Sequence, residues 1–302
     1  MTYYIYNPNA GKGLAEKEVP QTNDAEIIVH ETCGVGDATE YTKQICIEAK
    51  SRGEHIHIHI FGGDGSICEC VCGIMSAEAG VLVTLTAHPC GTGNDFVRYF
   101  GEEEKGKPRK IDVMRLDLPN EKETAYGINM INIGFDCAAA AKTSEIKKKL
   151  PVSGLLAYVL GVLGVLFKPL GRKMKLTWED ENGEIHTRED KFLLCAVGNA
   201  AYCGGGFRAA PCASLTDGLL DVLMVDVISR LDFIRIVGAY HAGTHVLPDG
   251  TVNPKYDKII RYIKCKNIEI EGMEAVCLDG EIRNTAKARV SIMEDALTYL
   301  PQ

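Results

Sequence analysis

The run HIHIHIF, His55–Phe61, ends in GGDGS and passes straight into ICECVCGIM. Apolar residues at every second position predict a strand, and the segment after the glycines reads as a helix. A strand that turns directly into a helix points to a layered α/β fold with a mainly parallel sheet. The transition recurs along the first third of the chain. TYYIY precedes NPNAGKG, AEIIVHE precedes the helical DATEYTKQICIEAKSRG, and GVLVTLTAHP precedes CGTGNDF. In the second of these Asp37 reads as an N-cap with Glu40 three residues later, and Tyr41, Ile45 and Ala49 share one helical face.

The texture changes at GEEEKGKPRK, residues 101–110, which is charged and carries Gly and Pro. Beyond it come strand-like segments mostly without intervening helices: KIDVMRLDL, TAYGINMINIGF, RKMKLTWED, KFLLCAVGN, LLDVLMVDV, KIIRYIKCKNIEIEG, AVCLDGE and ARVSIMED. They predict a β-rich second domain, with helices at Cys137–Lys149, Leu155–Phe167 and Leu231–His241, the last capped by Ser229 with Asp232. The expected division is residues 1–110 and 111–295.

Composition narrows the function classes. A formal charge of −8 over 302 residues argues against a nucleic-acid partner, although lysines cluster at Lys147–Lys149 and Arg172 follows Lys168. MTYYIYNPNAG lacks a basic region followed by an apolar core, so no export signal is expected. The longest uncharged stretch, VSGLLAYVLGVLGVLF, is shorter than the roughly 20 residues of a spanning helix. It reads either as buried core or as a membrane-facing helix. The twelve cysteines fit small core residues in a reducing compartment, and the i, i+2 spacing of Cys68, Cys70 and Cys72 spreads their sulfurs around a helix, against a zinc site.

Three glycine-bearing loops fall at the carboxyl ends of strands, where open α/β sheets bind ligands. In GGDGS, missing side chains let backbone N–H groups approach phosphate oxygens. A carboxylate there repels phosphate unless a cation lies between, so Asp64 points to Mg²⁺-nucleotide chemistry. NPNAGKG is neither a P-loop nor G-x-G-x-x-G and is weak alone. In HPCGTGNDFVR, Gly91 and Gly93 allow close approach and Thr92 offers a hydroxyl, whereas Asn94 or Asp95 has a sufficient role as a helix cap. In the second domain, Asp217–Gly218 reads as a turn or a hard-cation site, and LDGE presents Glu281 as a candidate base. The alternating His55, His57 and His59, and the pair His241 and His245, read as structural rather than as metal ligands.

Taken in order, NPNAGKG, GDAT, GGDGSICE, PCGTGNDF, IDV, GGGFRAAP, TDGLLDV and DGE resemble the diacylglycerol kinase catalytic-domain family, nearest its bacterial soluble lipid kinases, over nearly the whole chain. The resemblance implies an N-terminal three-layer α/β domain like that of NAD kinases and phosphofructokinases. A β-sandwich follows, nucleotide lies in the cleft between the two, and the last residues, about 296–302, return to the first domain. It implies ATP contacts from Asn7, Pro8, Asn9, Ala10 and Gly11, from Thr32, from Gly63, Asp64, Gly65, Ser66, Ile67, Cys68 and Glu69, and from Thr92. Asp64 would engage Mg²⁺-bound phosphates. A second, structural Mg²⁺ would rest on Asp217 and the main-chain oxygens of Ser214 and Leu219, linked to the cleft by Lys12, Asp95 and Asp112. Glu281 would be the general base.

Ser66 replaces the family's usual threonine, and Cys68 stands where bacterial relatives often carry asparagine. The implied reaction is transfer of the ATP γ-phosphoryl group to a lipid hydroxyl, with diacylglycerol first and sphingoid bases, other glycerolipids and polyprenols as alternatives. The implied setting is cytoplasmic, with transient contact at the inner membrane surface. A homodimer stays open. The rivals are an NAD kinase and a catalytically silent nucleotide- or lipid-binding protein.

Overall fold

The structure is a computed structural model that describes residues 1–21, 24–149 and 154–302. Its N-terminal part runs β1 (Thr2–Tyr6), α1 (Leu14–Glu18), β2 (Ile27–Glu31), α2 (Asp37–Arg52), β3 (Ile56–Gly62), α3 (Asp64–Ser76) and β4 (Val83–Pro89). The four strands lie in the order β4-β3-β1-β2, all parallel. Period-2 alternation explains the layering. Tyr3, Ile5, Ile56, Ile58 and Ile60 project to one face, where Ile45 and Cys46 of α2 and Ile67, Val71 and Ile74 of α3 bury them. The opposite face carries Tyr4, Tyr6 and Phe61 against Ala15 of the short α1.

The alternate histidines of β3 belong to that second face and are used in packing. His57 Nε2 lies 2.8 Å from Thr86 Oγ1, and His59 Nδ1 lies 3.0 Å from His88 Nε2. Burial holds both His57 and His59 below the ordinary imidazole pKa, His59 at about 3, so these rings are neutral at physiological pH. His245 is likewise structural, buried against the Ala239 and Ala209 carbonyls. The twelve cysteines are all unpaired thiols.

The second part contains β5 (Arg109–Leu118), β6 (Glu123–Gly127), β7 (Met130–Gly134), α4 (Phe135–Lys149), α5 (Gly154–Leu166), β8 (Arg172–Glu179), β9 (Ile185–Gly198), β10 (Leu220–Asp226), α6 (Arg230–Ala242), β11 (Ile260–Cys265), β12 (Asn267–Glu271), β13 (Ala275–Leu278), β14 (Glu281–Asn284) and β15 (Lys287–Tyr299). Its strands pair antiparallel around a core that includes Met114, Ile131, Leu176, Val197, Val222, Ile268 and Val290. The helices α4, α5 and α6 cover the outer side of β9 and β10 through Phe135, Val165, Leu223, Val225 and Ile236. Ser229 caps α6, accepting the Asp232 amide at 3.2 Å.

One strand joins the halves. β15 pairs with β12 and β5 in the sandwich, breaks register between Met293 and Leu297, and then runs parallel to β4, Thr298 opposite Thr84. The bend is pinned where the Asp295 amide donates to Asp112 Oδ1 at 2.8 Å. The result is one mixed sheet ordered β14-β13-β7-β9-β8-β12-β15-β4-β3-β1-β2. The glycine loops therefore face a second domain held by a continuous ladder.

Candidate active site

Three strand-end loops meet backbone to backbone. The Cys90 amide donates to Gly62 O at 2.8 Å, and the Asn7 amide donates to Phe61 O at 3.1 Å. A Cβ on Gly91 would stand 2.6 Å from Gly63 Cα, and one on Gly11 would stand 2.3 Å from Cys90 O. Side chains at these glycines would push the loops apart, so glycine here serves close approach. The C-terminal end of β2 joins them: the Thr32 amide donates to Tyr6 O at 2.9 Å. Beyond Thr32 lies an open hollow of about 590 Å³ lined by Cys33, Gly34, Val35, Gly36, Asp37 and Thr39.

Asp64 opens α3 and reaches into the next loop. Its Oδ1 accepts the Phe96 amide at 3.1 Å, and its Oδ2 lies where a Cβ on Gly93 would come within 2.9 Å. Asp64 and the loop of Thr92 are thus one unit, with Thr92 itself exposed. Asn94 does not cap an α-helix. It takes a left-handed conformation, φ 54°, and clasps Gly91, accepting from its amide and donating to its carbonyl, each at 3.0 Å. Only a 3₁₀ turn, Val97–Tyr99, follows. Asp95 instead crosses to the second domain, where its Oδ2 accepts the Gly205 amide at 2.7 Å.

Several other expected contacts are placed differently. Asp37 is the first residue of α2, not its N-cap, which is Gly36. Its carboxylate accepts the Cys33 amide at 2.9 Å and lies 3.0 Å from His30 Nε2. That amide bond, with His30, holds Asp37 below the usual carboxylate range. Glu69 closes the same turn by accepting the Gly36 amide at 3.0 Å. Ile67 and Cys68 point away from the loops: Ile67 is in the core, and the Cys68 thiol lies 3.7 Å from Tyr126 O. Ser66 covers Gly62, where an added Cβ would sit 2.6 Å from Oγ. Asn7, Pro8 and Asn9 lie on the loop after β1, Ala10 opens a 3₁₀ turn and Gly65 sits in the first turn of α3, but Lys12 is exposed, and Asp95 and Asp112 accept hydrogen bonds from backbone amides.

LDGE reads in the sequence as a turn, yet its Asp279 is an anchor of the site. In the β13–β14 hairpin it has φ 46° and Gly280 has φ 97°, the two left-handed residues of a tight hairpin turn. Its carboxylate accepts the Met130 amide at 2.7 Å, the Ile128 amide at 2.8 Å and the Asn129 amide at 3.2 Å. The chain continues through Asn199, fully buried, whose Nδ2 donates to Ile128 O and Asp112 O. Asp112 then accepts the Gly218 and Asp295 amides, both at 2.8 Å. Glu281 is exposed, two residues after Asp279 and opposite Leu278.

The electrostatics converge on the same place. Burial raises the carboxyls of Asp64, Asp95 and Asp279, the last to about 6, and the charge of Asp64 adds to the rise at both others. Arg98 is 3.7 Å from Asp95 Oδ1, beyond hydrogen-bond reach, and that buried oxygen has no hydrogen-bond partner. Mutually repelling carboxyls with an orphaned oxygen beside glycine-built loops are a donor set that fits a hard divalent cation and phosphate. Asp217 differs. Its Oδ2 is ion-paired with Lys264 Nζ at 2.7 Å, and its Oδ1 accepts the Leu219 amide at 3.2 Å.

Comparison with known proteins agrees with this architecture. Residues 2–121 match the diacylglycerol kinase catalytic domain, and residues 129–300 match the YegS C-terminal NAD kinase beta sandwich-like domain. A diacylglycerol kinase of Bacillus subtilis is 26% identical over 290 residues, covering 93% of this chain and 92% of that one. A diacylglycerol kinase of Mycobacterium tuberculosis is 26% identical over 313 residues, covering 98% and 93%. The crystal structure of a diacylglycerol kinase from Bacillus anthracis superposes with a TM-score of 0.64 at 22% identity, covering 100% of this chain and 96% of that one, which speaks to the fold. With both halves matched in order, the chain belongs to the diacylglycerol kinase catalytic-domain family of lipid kinases.

Proposed function

We propose that this chain transfers the γ-phosphoryl group of ATP to the hydroxyl of a membrane lipid, with diacylglycerol as the first acceptor to test and phosphatidic acid as its product. The observation that carries the reading is the meeting of three glycine loops with Asp64, Asp95 and Asp279 at one edge of the second domain. Phosphoryl transfer needs alignment and charge neutralisation more than covalent help. The loops offer backbone N–H groups to phosphate oxygens, and Asn94 fixes the Gly91 turn that presents them. Magnesium bound with the nucleotide would supply the positive charge, held from the protein side by Asp64 with Asp95 near it. Glu281 takes the acceptor hydroxyl's proton as the general base, on a hairpin whose position Asp279 sets. The hollow beyond Thr32 would receive the nucleoside end.

The acceptor lipid would enter beside α5. Gly161 and Gly164 pack its inner side on α4, where a Cβ at Gly161 would meet Thr143 Oγ1 at 2.4 Å. Its outer side carries Val159 and Leu163, exposed by 44% and 43%, and Phe167, just past its end, is 78% exposed, so the apolar residues here are not simply core. Arg230 ties the start of α6 to the end of α5, donating to Leu166 O at 2.8 Å, and Leu231 and Ile234 of α6 are also exposed. No helix among the described residues is long and apolar enough to cross a membrane. An apolar outer side flanked by Lys168 and Arg172 suits peripheral contact with an anionic surface, and twelve free thiols suit the cytoplasmic side. Leu163→Ser combined with Phe167→Ser is expected to weaken binding to phosphatidylglycerol vesicles at least roughly tenfold. Unchanged sedimentation with the vesicles in a folded variant removes the membrane role.

The reaction itself is tested by incubating the protein with labelled ATP, Mg²⁺ and a panel of lipid alcohols in mixed micelles, with products identified by mass spectrometry. Label appearing in phosphatidic acid supports the full reading. Label in another lipid corrects the acceptor, label in NADP⁺ when NAD⁺ is supplied replaces the reading with NAD kinase, and no transfer at all leaves a binding protein.

A further inference from the structure

Beneath the TDG turn, one ammonium occupies a pocket made of oxygens. Lys264 Nζ lies 2.7 Å from Asp217 Oδ2, 3.0 Å from Asp221 Oδ2 and 3.2 Å from Cys212 O. An ammonium has three donors, and each of these three has an oxygen. The pocket is rigid. Asp221 and Lys264 are directly opposed in the β10–β11 ladder, so the lysine rises from a paired strand, not from a loop. Asp221 is fully buried, and its other oxygen accepts the Tyr262 hydroxyl at 2.7 Å. That hydroxyl in turn accepts the Cys212 amide at 3.3 Å.

Two carboxylates and a carbonyl around one positive centre are the ligands a hard divalent cation would take. Of the ligands the family resemblance implies for a structural Mg²⁺, Asp217 offers the one side chain, the others being main-chain oxygens of Ser214 and Leu219. A dication there would have to displace the ammonium from Asp217 while standing beside it. We propose that Lys264 takes the place of that ion: this chain fastens the 212–219 loop with a built-in cation and needs no divalent metal at Asp217. Lys264 is then a positioning residue. It holds the turn whose Gly218 amide meets Asp112, and so steadies the polar chain under the cleft without touching substrate.

The test uses thermal melting of the full chain without nucleotide or lipid, so its outcome is independent of the kinase reading. The wild type is expected to melt at the same temperature in EDTA as in millimolar Mg²⁺. Lys264→Met leaves two carboxylates facing each other, one of them buried, and is expected to lower the melting temperature by about 5–10 °C, with divalent cation restoring part of the loss. An increase with Mg²⁺ in the wild type that disappears in Asp217→Asn would show a resident ion and overturn the proposal. So would a Lys264→Met variant that melts like the wild type in EDTA. Should that variant not accumulate as folded protein, the wild-type comparison with Asp217→Asn decides alone.

Discussion

Asp64→Asn is expected to lower turnover about a thousandfold while the melting temperature at neutral pH stays the same or rises. The two halves of that result separate two roles one carboxylate can hold. As a structural group, Asp64 accepts the Phe96 amide and joins the GGDGS turn to the CGTG loop. Asparagine keeps an oxygen for that bond. As a charged group, Asp64 would answer the cation proposed to arrive with the nucleotide, and asparagine would not. Stability does not protect the charge. Burial raises the Asp64 carboxyl, so the folded state favours its protonated form. For such a group the unfolded chain gives up its proton first as pH rises, and the folded state loses stability across the interval between the two pKa values. At neutral pH the folded protein bears the full cost of ionising Asp64, and the neutral amide removes it. The same carboxyls are expected to set the acid limb of kcat/KM. Asp279, at about 6, takes up its proton well above the ordinary carboxylate range, so kcat/KM falls as pH drops below about 6. An Asp64→Asn protein with wild-type turnover would leave the carboxylate as a turn cap only, and the cation would have to be held elsewhere.

What could be read from the sequence was local. The strand–turn–helix at 56–76, the strands of the second domain and the Ser229 cap all follow from periodicity or from residues within one turn of each other. The loops were placed together because strand ends of a parallel sheet share an edge, which needs no knowledge of strand order. What escaped was long-range. Asp279 meets the amides of residues 128–130 across about 150 positions, and nothing in LDGE marks its carboxylate as buried rather than pointing into solvent like that of any D-G turn. Lys264 reads as one more alternating strand residue until β11 is set against β10. Ile67 faces the core because helix phase is fixed by packing on β3, and Cys68 is buried toward Tyr126, neither being set by the motif that contains them. Asn94 and Asp95 are both good caps by type, yet one closes its own loop and the other bonds to Gly205, a choice made by the second domain. Such contacts depend on register and domain placement, which local propensity does not encode.

Glu281→Gln is expected to reduce turnover by about 10²–10⁴ and to leave melting unchanged. The side chain is exposed and stands at the tip of an edge hairpin, so its replacement by an isosteric amide disturbs no core contact. Its position is nevertheless fixed. Asp279 is bonded to three amides of the 128–130 segment, and these bonds hold the turn that Glu281 follows. Glu281 is the proposed base, carried from the family resemblance, and the oxygens of its neighbours are otherwise engaged. Both oxygens of Asp279 are occupied by backbone donors, and Asp64 is joined to Phe96 and better used on the cation, where a metal-bound carboxylate is a poor proton acceptor. An exposed carboxylate is free to take a proton, provided an acceptor hydroxyl is brought to it. The amide of the variant would keep the shape and lose that capacity, so KM for nucleotide should stay put while kcat falls. Full turnover in Glu281→Gln would strike out this base and pass the proton to another group, and phosphoryl transfer to lipid would still stand. A fall in melting temperature alongside the lost turnover would place Glu281 with Asp279 as part of the anchor instead.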